Sequence, residues 1–355
     1  MKRDYFKILC VAIIPTTMCF IVSCSRSSKG SKTTACTTNT QCLNGQTCQN
    51  ESCVAYKGKT YTVGFNPYGI AVDASGNIWV TNWGNTVTEL NSSGATIGTY
   101  TVDQDPAEIA IDVSGNVWIT HFPGYTITEL SPSGTTIGIY RVGNWPFGIA
   151  IDKSGNIWVT NIIDSTVIEL NPSGFTIGTY GVGTRPRGIA IDASGNIWIA
   201  NSGDNTLTEL SSTGVTISTY DVGVHPCGIA VDMSGNIWVA NEYDSNVTKL
   251  SSTGITLGTY DVGADPNTIA IDASGNIWVV NTGDNTVTEL TSSGATIGLY
   301  AVGFTPTSIA IDALGNILVT NWGVNNITEF VGVAKGPQYF PYAGPQFPGG
   351  GSGGR

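Results

Sequence analysis

Residues 66–100 read NPYGIAVDASGNIWVTNWGNTVTELNSSGATIGTY, and this stretch decides the fold. Its β-branched and aromatic runs, Gly69 to Asp73, Asn77 to Asn82, Thr86 to Leu90 and Thr96 to Val102, are separated by Gly, Asn, Asp and Ser. That is the pattern of four short strands joined by tight turns. Tyrosines at 61, 100, 140, 180, 220, 260 and 300 repeat the unit with a period of about 40 residues. The runs Ile-Ala-Val and Ile-Trp-Val are apolar at every position, as strands covered on both faces must be. A strand of the fourth type, residues 60–64, precedes the first complete unit, and the last unit stops after its third strand, residues 326–331. Pairing these two ends closes a ring and removes exposed sheet edges. The expectation is an all-β, seven-bladed β-propeller over residues 60–331, closed by an N-terminal outer strand.

With 41% hydrophobic and 12% charged residues in 355, the chain can bury a large core. Its formal charge is −11, and removing residues 1–23, with Lys2, Arg3, Lys7 and Asp4, leaves it more acidic. An acidic chain lacks the Lys and Arg that neutralise phosphates, so no nucleic-acid partner is expected.

The start, MKRDYFK followed by an apolar run from Ile8 to Val22, has the form of an export leader and is too short for a membrane span. It ends in Ile21-Val22-Ser23-Cys24, which resembles the lipobox of bacterial lipoproteins. The resemblance implies a leader over residues 1–23, a lipid on Cys24 that ties the protein to a membrane and, from Ser25, sorting to an outer membrane, facing the periplasm or the surface. A polar tether covers residues 24–35. Export makes Cys36, Cys42, Cys48 and Cys53 disulfide candidates before metal ligands, and residues 36–53 resemble the small two-disulfide modules of bacterial surface proteins. Three pairings remain open, and the absence of CxxC spacing weighs against zinc. Residues 332–355 form a Pro/Gly-rich tail.

The unit NPYGIAVDASGNIWVTNWGNTVTEL resembles the NHL repeat and the repeats of streptogramin lyases and of the regucalcin/gluconolactonase group, over residues 60–331. Propellers carry unrelated activities, so this likeness speaks to fold before function.

Between the first two strands the turns DASGN, DVSGN, DKSGN, DMSGN and DALGN are nearly uniform, which turn geometry explains; a repeated calcium site on Asp73, Asn77 and their equivalents is the alternative. On the other face the loops differ: GFNPYG, DQDPAE, GNWPFG, GTRPRG, GVHPCG, GADPNT and GFTPTS lead into the first strands. Loops without a shared structural duty are where specificity sits, so a ligand site is expected there, at the channel mouth. The ligand-binding candidates are Tyr68, Trp83, Phe122, Trp145, Phe147 and Trp322, with Phe65, Phe304 and Tyr125 nearby, and Arg185 and Arg187 as anion receivers. The rings either serve a ligand or fold down over the blades. Trp79, Trp118, Trp158, Trp198, Trp238 and Trp278 recur in register and belong to the core.

Asn82, Asn161, Asn201, Asn241, Asn281 and Asn321 recur in register, with His121 in the second copy. If they face the channel, His121 and Glu108 are the most reactive pair; otherwise His121 caps a strand. His225 and Cys227 flank Pro226, and a Cys–His nucleophile would need a third orienting group. No cofactor is expected. Likeness to streptogramin lyases implies a catalytic histidine with acidic metal ligands that eliminates across a lactone-type ester, yet His121 and His225 lie three blades apart. Likeness to gluconolactonases implies a channel metal, for which Glu108, Asn161, Asn201 and Asn267 are the candidates. The leading reading is a monomeric, envelope-anchored recognition or scaffold propeller binding a protein or glycan; the alternative is a metal-dependent lyase or lactonase.

Overall fold

Runs of Ile, Val and Thr broken every few residues by Gly or Asn favour short pleated strands over helices, and the computed structural model of the chain is all-β apart from two single 3-10 turns among the described residues. It describes residues 58–333, together with the backbone of strands Gln46–Gln49 and Ser52–Ala55. Seven four-stranded antiparallel sheets are arranged in a ring. Blade 1 runs outward through Pro67–Val72, Ile78–Asn82, Thr86–Leu90 and Thr96–Thr101, and blades 2 to 6 repeat this order. Each innermost strand neighbours the next, and Pro306–Ile311 of blade 7 meets Pro67–Val72. Blade 7 takes its outer strand, Lys59–Thr62, from the start of the described chain; it pairs with Asn326–Phe330, and Tyr61 Oη donates to Glu329 Oε2 at 2.6 Å.

The core lies between blades. Ala150, Trp158 and Val167 of blade 3 pack with Ile189, Ile197, Ile199 and Leu210 of blade 4. Trp158 is fully buried, stacks on Tyr180 at 5.5 Å, and donates its indole N–H to Asp152 Oδ2 at 3.2 Å. The uniform turns are held as turn geometry predicts: Asp73 Oδ1 accepts the amides of Ser75 and Asn77 at 2.8 Å each, and Gly76 has φ +83°. The calcium alternative therefore loses its motive, because the Asp oxygens already serve the turn.

Gly134 shows how neighbouring blades lock. It sits at φ +77°, and a Cβ there would strike the ring of Tyr100 from blade 1, whose hydroxyl donates to Glu89 at 2.7 Å. Left-handed backbone costs a non-glycine residue about 1–2 kcal/mol, and overpacking adds about 1–3 kcal/mol. Gly134→Ala is expected to destabilise the propeller by about 2–5 kcal/mol in urea unfolding; an unchanged midpoint would mean that the Tyr100 wedge is not what joins these blades.

The strands Gln46–Gln49 and Ser52–Ala55 form a hairpin in whose backbone register Cys48 stands opposite Cys53. Residues 1–45 with Cys24, Cys36 and Cys42, and residues 334–355, lie outside the described residues.

Candidate functional site

Three positions in every blade build the mouth of the channel. In blade 1, Pro67 pairs with Asn82 and Ile70 with Val80, so one extra residue bulges out at Tyr68–Gly69, and the same irregularity recurs in all seven blades. Such a bulge frees a side chain from the ladder and re-aims it. The residue before each proline is left-handed, at φ +50° to +59°. Its carbonyl accepts the amide of the residue that follows the register asparagine, as Asn66 does from Trp83 at 3.2 Å and His225 from Glu242 at 3.1 Å. Residues far apart in sequence are thereby clamped side by side over the channel.

On blades 7, 1, 2 and 3 these positions carry aromatic rings in a continuous arc. Trp83 meets Trp322 at 4.5 Å, Trp322 meets Tyr68 at 5.9 Å, Tyr68 meets Phe147 at 5.8 Å, Phe147 meets Phe122 at 5.5 Å and Phe122 meets Trp145 at 5.2 Å, all edge-on. Both sequence readings hold in part. Phe147 is folded down, 8% exposed, whereas Trp145 stands 37% exposed at the rim, and the indole N–H of Trp83 is buried with no partner among the described residues.

The arc ends on a charged cluster. The Arg187 guanidinium lies 5.1 Å from the Phe147 ring centre, and its Nη1 donates to Glu242 Oε2 at 3.0 Å and lies 3.2 Å from Cys227 Sγ. The same Oε2 accepts from His225 Nδ1 at 2.8 Å and from the Cys227 thiol at 3.0 Å. The His225 ring stacks on Tyr243 at 4.4 Å, and its Nε2 has no partner among the described residues.

Electrostatics divide the acids. Burial would raise Glu242, but the His225 hydrogen bond, Arg187 and the Cys227 thiol overcome it and hold the carboxyl down at about 2. Burial pushes the Cys227 thiol up to about 12 against the pull of Arg187, so it is a neutral donor and no thiolate nucleophile. Glu108, on the bulge position of blade 2, is pushed up to about 7 by burial, with Arg187 opposing. Its carboxyl makes no hydrogen bond to a described residue. Tyr68 is raised above its ordinary range by burial, again opposed by Arg187.

The structure thus gathers Tyr68, Trp83, Phe122, Trp145, Phe147, Arg187 and Trp322, and joins His225 to Cys227. Arg185 is set apart, exposed in the left-handed pre-proline position and without an ion pair among the described residues. The pairing of His121 with Glu108 is corrected. His121 is 1% exposed, its Nδ1 held by the Gln104 carbonyl at 3.1 Å and its Nε2 by Thr128 Oγ1 at 2.7 Å. It occupies the place where Asn201 donates to Thr208 Oγ1 at 2.9 Å, and burial lowers its pKa. The register asparagines pin second strands to third strands and do not line the channel. Of the gluconolactonase-like ligand set, Asn161 donates to Thr166 and Asn201 to Thr206 and Thr208 within their own blades.

Glu242 was not singled out by sequence. The available signal was its register: the position after the asparagine holds Trp83, Phe122 and Trp322 elsewhere, and Glu242 is its one acid.

The virginiamycin B lyase family model matches residues 54–250, a span that includes Arg187, His225, Cys227 and Glu242. Among solved structures, a streptogramin B lyase is 20% identical, covers 76% of this chain and 96% of its own, and superposes with a TM-score of 0.70. Virginiamycin B lyase from Staphylococcus aureus gives 19%, 77%, 98% and 0.71. Hydrazine synthase of Kuenenia stuttgartiensis gives 14%, 76%, 96% and 0.70. No curated protein matches the chain. Identities this low speak to the fold alone, and proteins named for two different chemistries share it.

Proposed function

The chain belongs to the virginiamycin B lyase family, and on that premise we propose that its channel mouth recognises a ligand offering both a flat ring face and an acidic group, with an acidic glycan as the best fit. The observation that carries this reading is the aromatic arc from Trp83 to Trp145 running into Arg187 through the Phe147 ring. Aromatic faces stack on sugar rings, and a guanidinium fixed by packing receives a carboxylate without losing much side-chain freedom. Cys24, as a lipid anchor, would hold this mouth in the cell envelope, where such glycans lie. Binding is measured as the change in tryptophan fluorescence when the full chain is titrated with acidic and neutral oligosaccharides. Acidic sugars are expected to bind and neutral ones of the same length to bind at least about tenfold more weakly. Equal affinity for both would remove Arg187 from the recognition.

A second reading, an ester-opening lyase, has one specific observation in its favour. Glu242 holds His225 at Nδ1 and leaves Nε2 to accept a proton, the arrangement of a carboxylate-oriented general base. Quinupristin, the compound bound to a catalytically inactive virginiamycin B lyase variant, is the test substrate. Elimination would open its ring without a change of mass, hydrolysis would add the mass of a water, and an unchanged compound would leave recognition as the function.

A further inference from the structure

The turns that join first to second strands and third to fourth strands lie on the face opposite the channel mouth, which neither reading of the mouth employs. The two faces differ in exposed charge. Among the described residues every exposed carboxylate stands on the mouth side. Asp164, Asp204, Asp244 and Asp284 hold one loop position of blades 3 to 6, Asp221 and Asp261 end outer strands, and such acids outnumber the exposed Arg141 and Arg185 there. We propose that the opposite face is a docking surface for a bilayer containing anionic phospholipid, its apolar turn tips seated among the headgroups and the mouth pointing away from the membrane. The proposal is independent of what the mouth binds.

Three observations carry it. The first is the set of tips. Val113, Met233 and Leu314 in the inner turns, and Phe175, Val215 and Ile255 closing the outer turns of blades 3, 4 and 5, are 64% to 76% exposed. Equivalent positions hold Ala74, Ala95 and Ala193, so the turn itself has no need of a large apolar side chain. Phe175, Val215 and Ile255 are each followed, two residues on and therefore on the same side of the outer strand, by the half-exposed Ile177, Ile217 and Leu257. Three adjacent blades thus carry one apolar patch, and such patches mark interaction sites.

The second is charge complementarity. The acids of this face are withdrawn into the fold: Asp112 Oδ1 accepts the amides of Ser114 and Asn116 at 2.8 and 2.9 Å, and the buried Glu89 and Glu129 accept tyrosine hydroxyls at 2.7 Å. In blade 5 Lys249 replaces that glutamate and donates to the Ser292 carbonyl at 2.7 Å. Both exposed lysines among the described residues, Lys59 and Lys153, lie on this side. An anionic lipid surface attracts such a face and repels the mouth. The mouth rim also exposes rings, but they stand among carboxylates that resist desolvation.

The third is the path of the chain. Lys59 stands opposite Glu329 at the end of the third strand of blade 7, so the chain enters the ring on this face. A lipid on Cys24, as the leader implies, would hold the protein from the side whose tips it inserts, and the tether need not cross the rim.

The test uses the chain from residue 25, which keeps every strand of the ring without leader or lipid. It is mixed with vesicles of phosphatidylcholine alone, or of equal parts phosphatidylcholine and phosphatidylglycerol, and the bound fraction is measured by flotation. The mixed vesicles are expected to bind it at least about tenfold more tightly, with the advantage fading as salt is added. Phe175→Glu and Met233→Glu should each weaken binding by about tenfold, and Lys153→Glu by about fivefold or more. Ile163→Glu, on the mouth side, should leave it unchanged. All four positions are exposed, and thermal melting establishes that each variant is folded. No binding to mixed vesicles would overturn the proposal, as would an equal loss in Ile163→Glu. Binding that survives the Phe175, Met233 and Lys153 substitutions would belong to the basic tether with Arg26, Lys29 and Lys32 and would overturn it too. A dimer in solution that Phe175→Glu dissolves would assign the face to a second copy instead.

Discussion

Glu242→Gln should lower the stability of the propeller by about 3 kcal/mol at pH 7, and the loss should fade as the medium is made acid. The carboxyl is held at about 2 against an ordinary 4.5, and at about 1.4 kcal/mol per unit the difference amounts to about 3 kcal/mol. A depressed acid stabilises the fold above its unfolded pKa and loses that contribution as pH falls through the folded one. The native chain should therefore lose stability between about pH 4.5 and pH 2, while the variant shows none of that slope. The physical source is convergence: Arg187, His225 and the Cys227 thiol all donate to Oε2. Replacing the carboxylate takes from the partly buried Arg187 the ion-pair partner it has at 3.0 Å, which costs more than the hydrogen bonds alone. Urea unfolding across the pH range measures this. Parallel pH profiles for the two proteins would show that the three donors do not converge on one charged acceptor.

The architecture was legible because a strand leaves its mark in adjacent residues. Alternation, turn residues and a repeated tyrosine are local signals, and in a ring of blades each local signal is repeated. The mid-strand tryptophans were assigned to the core from their register alone, and they are fully buried there. Most of the aromatic candidates also proved to be neighbours, since equivalent loop positions of adjacent blades are adjacent in space. The His225–Glu242 contact leaves no such mark. It depends on a bulge, a left-handed pre-proline residue and one backbone hydrogen bond, from the Glu242 amide to the His225 carbonyl. The face of the register asparagines was equally hidden. Whether Asn82 faces the channel or the third strand depends on pairing register, and Asn82 opposite Thr86 places its amide within 3.0 Å of Thr88 Oγ1. His121 inherits that position and is structural, a fact that no property of histidine itself reveals.

Glu108 predicts the opposite behaviour to Glu242. Its carboxyl is pushed up to about 7 by burial, so between about pH 4.5 and 7 the folded protein keeps a proton that the unfolded chain has released. Stability must fall as pH rises through that window, and above it the deficit is about 3 kcal/mol. Glu108→Gln, neutral at every pH, should match the native chain below pH 4 and exceed its stability by about 3 kcal/mol at pH 8. A native chain whose stability is flat from pH 5 to pH 8 would instead mean that Glu108 is already ionised and paired with Arg187. A carboxyl that costs stability and makes no hydrogen bond to a described residue has its purpose elsewhere, and Arg187 is the charge that acts on it. Two carboxyls thus compete for one guanidinium, with Glu242 in possession. Removing Glu242 should let Arg187 turn to Glu108 and bring its pKa down, so the effects of Glu108→Gln and Glu242→Gln will not add. In the Glu242→Gln background Glu108→Gln should cease to stabilise at pH 8, and the size of that coupling measures how freely Arg187 moves between its two partners.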